Sequence, residues 1–451
     1  MQSPSREHFS SRAGFIMAAT GSAVGLGNIW GFPTQAANNG GAAFVLVYVI
    51  FTVALAYPAL MAELLIGRHT RCNMVNALPA LSNRRRWQAI GKFAGICGIL
   101  VSSLILAFYA IVAGWMMANI LPLPAASLGL STVSLWTSEF SPSRNLVFCL
   151  IFSVLTFSVI ARGVANGIEH WSSRLMPTLL ILIVTLTAYV FTQPGALEGL
   201  KVYLLPDFSA LARPQLLLSA MGQAFFSLSL GVGTMLIYGS YLRAQENLPV
   251  AGALVAGADT GVALLAGLLI IPATFVAAKQ GVVIHNDTGA LIAGPDLILQ
   301  TLPSLFQSLG TGGVLVSVIF FCLMVIAALT SSISMLEVPV AFVIERWRVS
   351  RPKAALLTGG VIYLISAVII LNFDSLFGLV IDITTKYSQP LLAGVLCIFA
   401  GWVLHRDRLL EEIRSGYANA ENRWFWKIWP PYIRFVCPAL IAGLFINSLL
   451  D

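Results

Sequence analysis

Apolar runs of about 20 residues, the length that crosses the hydrocarbon core of a bilayer, recur along almost the whole of this 451-residue chain. They fall near 13–37, 41–67, 92–122, 145–161, 175–192, 217–242, 251–277, 313–344, 354–372, 377–404 and 430–449. Only 10% of residues are charged, against roughly a quarter in a soluble domain. In lipid every backbone polar group must be satisfied internally, and helices do this one segment at a time. The chain is therefore expected to be an all-α polytopic membrane protein of about eleven transmembrane helices. Little sequence is left for a soluble domain, so 1–451 is read as a single transmembrane unit.

The net charge of +7 is explained by its location and does not mark a nucleic-acid binder. Arg6 and Arg12 precede the first span, and Arg68, Arg71, Arg84, Arg85, Arg86 and Lys92 crowd the second connection. Further basic residues fill the fourth, sixth, eighth and tenth connections, whereas the alternate ones hold only Arg144, Lys201, Arg213 and Lys279. By the positive-inside rule the N-terminus is cytoplasmic and, with an odd number of spans, the C-terminus is external. The six cysteines lie mostly within spans and read as small packing residues, with no disulfide framework or metal site.

Two of the spans are poor membrane helices. The first contains Gly21-Ser22-Ala23-Val24-Gly25-Leu26-Gly27-Asn28-Ile29-Trp30, and the sixth contains Gly222-Gln223-Ala224-Phe225-Phe226-Ser227-Leu228-Ser229-Leu230-Gly231-Val232-Gly233. Glycine, hydroxyl and amide residues at mid-depth predict broken backbone, which survives in a bilayer only where protein, water or ligand meets it. One break alone also fits a glycine kink or a packing seam. Two breaks five spans apart fit two five-span halves of opposite topology, near 13–192 and 217–404, with a final helix near 430–449. That arrangement points to a transporter with its site at the two breaks.

A broken helix offers free N–H groups to a carboxylate and free carbonyls to a cation. The polar side chains at similar depth are Asn28, Ser227, Asp259 and the run Thr330-Ser331-Ser332. Asn28 alone fits interhelical hydrogen bonding, and the hydroxyl run alone fits bonding to the preceding turn. Asp259 is different, because its span holds no basic residue and a mid-membrane carboxylate costs at least ~2.5–3.5 kcal/mol on insertion scales. It should face a cation or a proton.

These segments, together with Asn39-Gly40-Gly41, Glu63, Gly67-Arg68, Phe108-Tyr109, Gly163 to Pro177 and Leu329-Thr330-Ser331-Ser332, resemble the neurotransmitter/sodium symporter family, in particular its bacterial amino-acid-transporting, leucine-transporter-like branch. The resemblance runs along essentially the whole chain. It implies an inverted five-plus-five repeat with helices 1 and 6 unwound at mid-membrane, and sodium-driven uptake through alternating access. One sodium would meet the Ala23 carbonyl, Asn28, Ser227 and Asp259. A second would meet the carbonyls of Gly21, Val24 and Ala327 and the hydroxyls of Thr330 and Ser331. The substrate carboxylate would meet the N–H groups of Leu26 and Gly27 and the Tyr109 hydroxyl, and the amino group would meet Ala23, Phe226, Ser227 and Ser229. The pocket would be lined by Ser22, Ile105, Phe226, Val232, Ser331 and Met335, with Phe226 as its lid. At Gly25 the monoamine branch carries an aspartate, so here the substrate should bring its own acid. Val232, standing where the leucine transporter has a phenylalanine, leaves room for a medium or large apolar side chain.

The chain departs from the family in two places. Chloride-dependent members place a serine four residues after the sodium-site asparagine. Here Asp259 replaces that asparagine and Ala263 that serine, so no chloride requirement is expected. The family's Trp-Arg-Phe-Pro motif reads Trp30-Gly31-Phe32-Pro33, so the outer-gate cation is missing. Asp382 resembles its acidic partner, and Lys386, one helical turn on, is expected either to neutralise it or to meet an acidic substrate group. On the inner side Arg6 and Glu345 match the gate pair, and Tyr241 a neighbour of it.

The expected function is sodium-coupled symport of a neutral amino acid across a bacterial inner membrane. The protein would act as a monomer or weak oligomer, with two sodium ions, the lipid bilayer and the amino acid as its partners. A proton-coupled transporter of similar fold, or a channel-like or sensor protein, stands as the alternative. The five histidines lie in loops or at span edges and form no nucleophile–base cluster, which argues against an enzyme.

Overall fold

The structure is a computed structural model that describes residues 7–206, 208–286, 291–292 and 301–450. Among the described residues the chain is almost wholly helical, with only two isolated β-bridges, Gly41 with Pro206 and His285 with Leu291. Eight helices are long and apolar enough to cross a membrane, and two bent helix pairs raise the number to ten. The split segment Pro214–Ser227 plus Thr234–Ser240 stands at the position of the remaining expected span.

In chain order, span one is Arg12–Ala23 with Gly27–Asn38, span two Ala42–Thr70, span three Arg85–Ala118, span four Pro142–Ile160 and span five Val164–Val190. Span six is the split segment; span seven is Leu248–Lys279, span eight Gly310–Trp347 and span nine Arg351–Leu371. Span ten is Phe373–Val403 and span eleven Trp424–Asn447. Span three starts earlier than its apolar run suggests, because the helix carries its basic first turn out of the hydrocarbon.

Both expected breaks are present. Span one bends by 57° where Val24 leaves the helix with extended backbone. Span six loses its helix between Ser227 and Thr234, and Ser229, Gly231 and Gly233 all have positive φ there. A glycine is required at 231, since a Cβ would overlap the Gln389 carbonyl oxygen. The freed Gly231 N–H donates to Glu63 Oε1 at 2.7 Å, so a fully buried carboxyl of span two supports the unwound backbone.

The broken spans lie at the centre of the bundle. Span one packs against spans five, seven and eight, and the two halves of span six against span two. Span eight runs along span three. Large apolar side chains such as Leu46, Phe93, Ile181 and Leu364 face outward and exposed, as lipid-facing residues do. The start of span one is fixed by Ser11, whose hydroxyl accepts from Gly14 N–H, and by Glu169 of span five, which accepts from both Ser10 and Ser11.

Candidate functional site

Where the two breaks meet, three polar side chains from three spans close on one another. Asp259 (span seven) accepts from the Asn28 amide at 2.7 Å through one oxygen and from the Ser227 hydroxyl at 2.6 Å through the other. Asn28 Nδ2 also lies 2.8 Å from Ser227 Oγ, while its Oδ1 accepts from Gly25 N–H. The Tyr48 hydroxyl completes the group, 3.4 Å from Ser227 Oγ. All four are buried, and the neighbours of the carboxylate are neutral.

A second oxygen cluster sits on the other flank of the span-one break. The Ser331 hydroxyl lies 3.0 Å from the Val24 carbonyl and 3.3 Å from that of Gly21. Beside it on span eight, the Thr330 hydroxyl donates to the Ala327 carbonyl one turn back at 3.0 Å. Gly21 is packed so closely that a Cβ would lie 3.1 Å from that of Thr330. The five residues expected at the second ion position are thus neighbours, two from span eight hydroxyls and three through carbonyls.

Between the clusters lies a cavity of about 30 Å³, room for a water or two. Ala23, Gly25, Gly27, Asn28, Ile105, Tyr109, Phe226, Ser227, Ser229, Val232, Ser331 and Met335 line it. Two residues expected to line it stand behind it. Leu26 directs its N–H to the Tyr109 hydroxyl at 3.0 Å. Ser22 turns its hydroxyl onto Ser334 at 2.6 Å, and its carbonyl accepts from Ser229. A Cβ at Gly25 would sit 2.7 Å from the Tyr109 oxygen and 2.8 Å from Ser331 Oγ, so this floor admits only glycine. Phe226 lies over Gly27 and remains 36% exposed, which leaves it free to swing.

One lining residue was not among those expected. Gln389 of span ten borders the cavity, is 3% exposed, and its Oε1 has no hydrogen-bond partner. Its sequence signal is a polar amide seven positions beyond Asp382, deep in an apolar span.

On the side of the bundle that carries the N-terminus, the charged residues form a latch. Arg351 of span nine holds Glu337 of span eight through two nitrogens, at 2.8 and 3.0 Å, and Glu7 through a third at 3.1 Å. The Tyr241 hydroxyl donates to the same Glu337, and Phe9 N–H to the Tyr241 carbonyl. Arg6 lies outside the described residues. Glu345 holds Asn73, the N-cap of the helix Met74–Ala80, accepting from its backbone and side-chain N–H groups.

The opposite side is built differently. Among the described residues Asp382 and Lys386 form no ion pair, so the expected intrahelical neutralisation is absent. The segment Asp382–Ser388 is a π-helix, whose backbone bonds run five residues apart, and within it the lysine turns to the neighbouring ring. The Lys386 ammonium rests 5.9 Å from the centroid of the Tyr387 ring. Next to Gly31, where the expected arginine is missing, stands the amide of Gln223, which donates to the Gly27 carbonyl at 3.1 Å.

Two interrupted helices that meet around a buried carboxylate, inside a bundle of membrane-crossing helices, define a secondary transporter with its site at mid-depth. The model of the sodium:neurotransmitter symporter family matches residues 6–131 and 128–451. A Bacillus subtilis (strain 168) protein described as the uncharacterized sodium-dependent transporter YhdH is 36% identical, over 98% of this chain and 97% of its own. The rat sodium- and chloride-dependent taurine transporter is 24% identical, over 99% of this chain and 78% of its own. Among solved structures, that of MhsT in complex with L-phenylalanine aligns with a TM-score of 0.83 at 35% identity, covering 98% of this chain and all of that one. The chain belongs to the sodium:neurotransmitter symporter family and is a multi-pass membrane transporter.

Proposed function

We propose that this protein carries a neutral, apolar amino acid into the cell together with sodium, by alternating access around the two broken spans. The reading rests above all on Asp259, a buried carboxylate whose partners, Asn28 and Ser227, are neutral. An ionised, unpaired acid at this depth is costly, and a sodium ion beside it removes that cost. The donors suit a hard cation, which takes oxygen ligands. They are the carboxylate, the Ser227 hydroxyl, the Ala23 carbonyl and the amide of Asn28 once its oxygen turns inward. The carbonyls of Gly21, Val24 and Ala327 with Thr330 and Ser331 suit a second ion in the same way.

The substrate would be recognised by what the cavity offers and lacks. The Gly27 N–H and the Tyr109 hydroxyl, the latter oriented by the Leu26 N–H, can donate to a carboxylate, and glycine at 25 supplies no acid to hold an amine. Ile105, Phe226, Val232 and Met335 give the remainder an apolar surface. A phenylalanine complex in the 35% identical MhsT agrees with a large apolar side chain. Chloride is not needed, because Asp259 already places a negative charge at Ser227 and Ala263 offers no hydroxyl. The uneven arginine distribution supports a cytoplasmic N-terminus in the plasma membrane. Two sodium ions moving with a zwitterion gain ~4.6 kcal/mol per 100 mV, about 10³-fold accumulation.

Uptake of radiolabelled phenylalanine and leucine into proteoliposomes tests this. An inward sodium gradient should raise uptake at least ten-fold over choline, gluconate should replace chloride without loss, and Asp259→Ala should abolish the sodium effect. Uptake that is equal without sodium, or is retained in Asp259→Ala, would refute the reading.

A further inference from the structure

A second cavity lies away from the broken helices. It measures about 500 Å³ and lies where span ten ends, span eleven begins and span three begins. By the alternation of the spans, this is the N-terminal side of the bundle. Arg84, Arg406, Lys427 and Arg434 line it, and no acidic residue does. All four are exposed, and among the described residues none is held in a salt bridge. Two aromatic contacts organise the charge. Arg434 stacks on Trp402, 4.0 Å from the ring, while the Trp402 indole N–H donates to the Arg434 carbonyl at 2.8 Å. Arg406 stacks on Trp426 at 5.5 Å. These contacts hold the guanidinium planes in place and leave their N–H groups unspent, which favours a bidentate phosphate.

The cavity also opens sideways. Trp402 and Phe435, which line it, are large, apolar and more than half exposed, in a part of the chain that faces lipid. A phosphate seated among the four cations would therefore have hydrocarbon chains running along this apolar rim. Basic pockets between transmembrane helices at a membrane surface are suited to anionic head groups.

We propose that this cavity is a binding site for an anionic phospholipid, its phosphate held by Arg84, Arg406, Lys427 and Arg434 and its acyl chains lying on Phe435 and Trp402. Four uncompensated positive charges favour a head group of net negative charge and repel the ammonium of a zwitterionic one. Because the site borrows no residue from the ion and substrate clusters, it stands or falls independently of them.

Native mass spectrometry of the purified full-length protein, titrated with phosphatidylglycerol, phosphatidylethanolamine or inorganic phosphate, provides the test. One phosphatidylglycerol should be retained with at least ten-fold preference over phosphatidylethanolamine. That preference should fall to near unity in the exposed-residue double variant Arg406→Gln/Lys427→Gln, whose lipid-free melting temperature should match the parent. If that variant fails to fold, Arg84→Gln alone should lower the preference several-fold. Equal retention of the two lipids, full retention by the variants, or inorganic phosphate displacing the lipid at equal concentration would overturn the proposal.

Discussion

The two ends of the path through the molecule are closed by different chemistry. On the N-terminal side Arg351 grips Glu337, whose side chain is fully buried, and ties in Glu7 and Tyr241. On the opposite side the closure is one neutral hydrogen bond, Gln223 to the Gly27 carbonyl, and the ring of Phe226 lying over Gly27. A buried pair that loses one partner costs about 3–5 kcal/mol, whereas a neutral hydrogen bond is worth about 0.5–1.5 kcal/mol. Loss of one partner therefore costs more at the N-terminal end than at the other.

Removing the charge from the stronger end should break the contrast most. Arg351→Met leaves Glu337 buried and alone, and the latch should weaken by ~3–5 kcal/mol, or ~10²–10³-fold in the closed population. Hydrogen exchange of the Phe9–Thr20 amides should accelerate accordingly, and unchanged exchange would refute the latch. Next in size is Gly27→Ala, whose new methyl would meet Phe226 at 2.8 Å. Propping the lid open should cost ~1–3 kcal/mol, read as faster labelling of a cysteine placed at Val232 by an impermeant maleimide. Gln223→Leu, which gives up a single neutral bond, should shift the same labelling by only ~0.5–1.5 kcal/mol. Lys386→Ala should do least, within ~0.5 kcal/mol, because it has no acidic partner to lose. A large loss of transport there would mean that Lys386 touches the substrate.

The parts legible in the chain were those where a residue type conflicts with its surroundings. Glycines and Asn28 in an apolar run announced the breaks, and Asp259 without a basic neighbour in its span announced the polar cluster it forms with Asn28 and Ser227. Glu63 props span six because a buried acid needs donors and the unwound backbone has a spare one at Gly231. The latch was harder to see. Arg351 and Glu7 are ordinary charges at or near span ends, Glu337 is buried inside span eight with no partner in its own span, and only the packing of span eight against span nine and the N-terminal segment unites them. The pairing of Asp382 with Lys386 failed for an instructive reason: a spacing of four brings two side chains within reach without fixing their rotamers, and nothing in Asp-Ile-Thr-Thr-Lys shows that the lysine lies over Tyr387. Gln389 was passed over because a lone amide in a span is commonly structural, and its orphaned oxygen shows only once the cavity is formed.

Val232 stands between Gly231 and Gly233, whose φ angles of 85° and 82° no branched residue adopts comfortably. Its side chain reaches the cavity while both flanking positions are locked by geometry and by Glu63. Within the unwound turn, reshaping the pocket is thus left to one codon: enlarging or shrinking residue 232 alters the cavity, whereas changing either flank disrupts the turn that builds it.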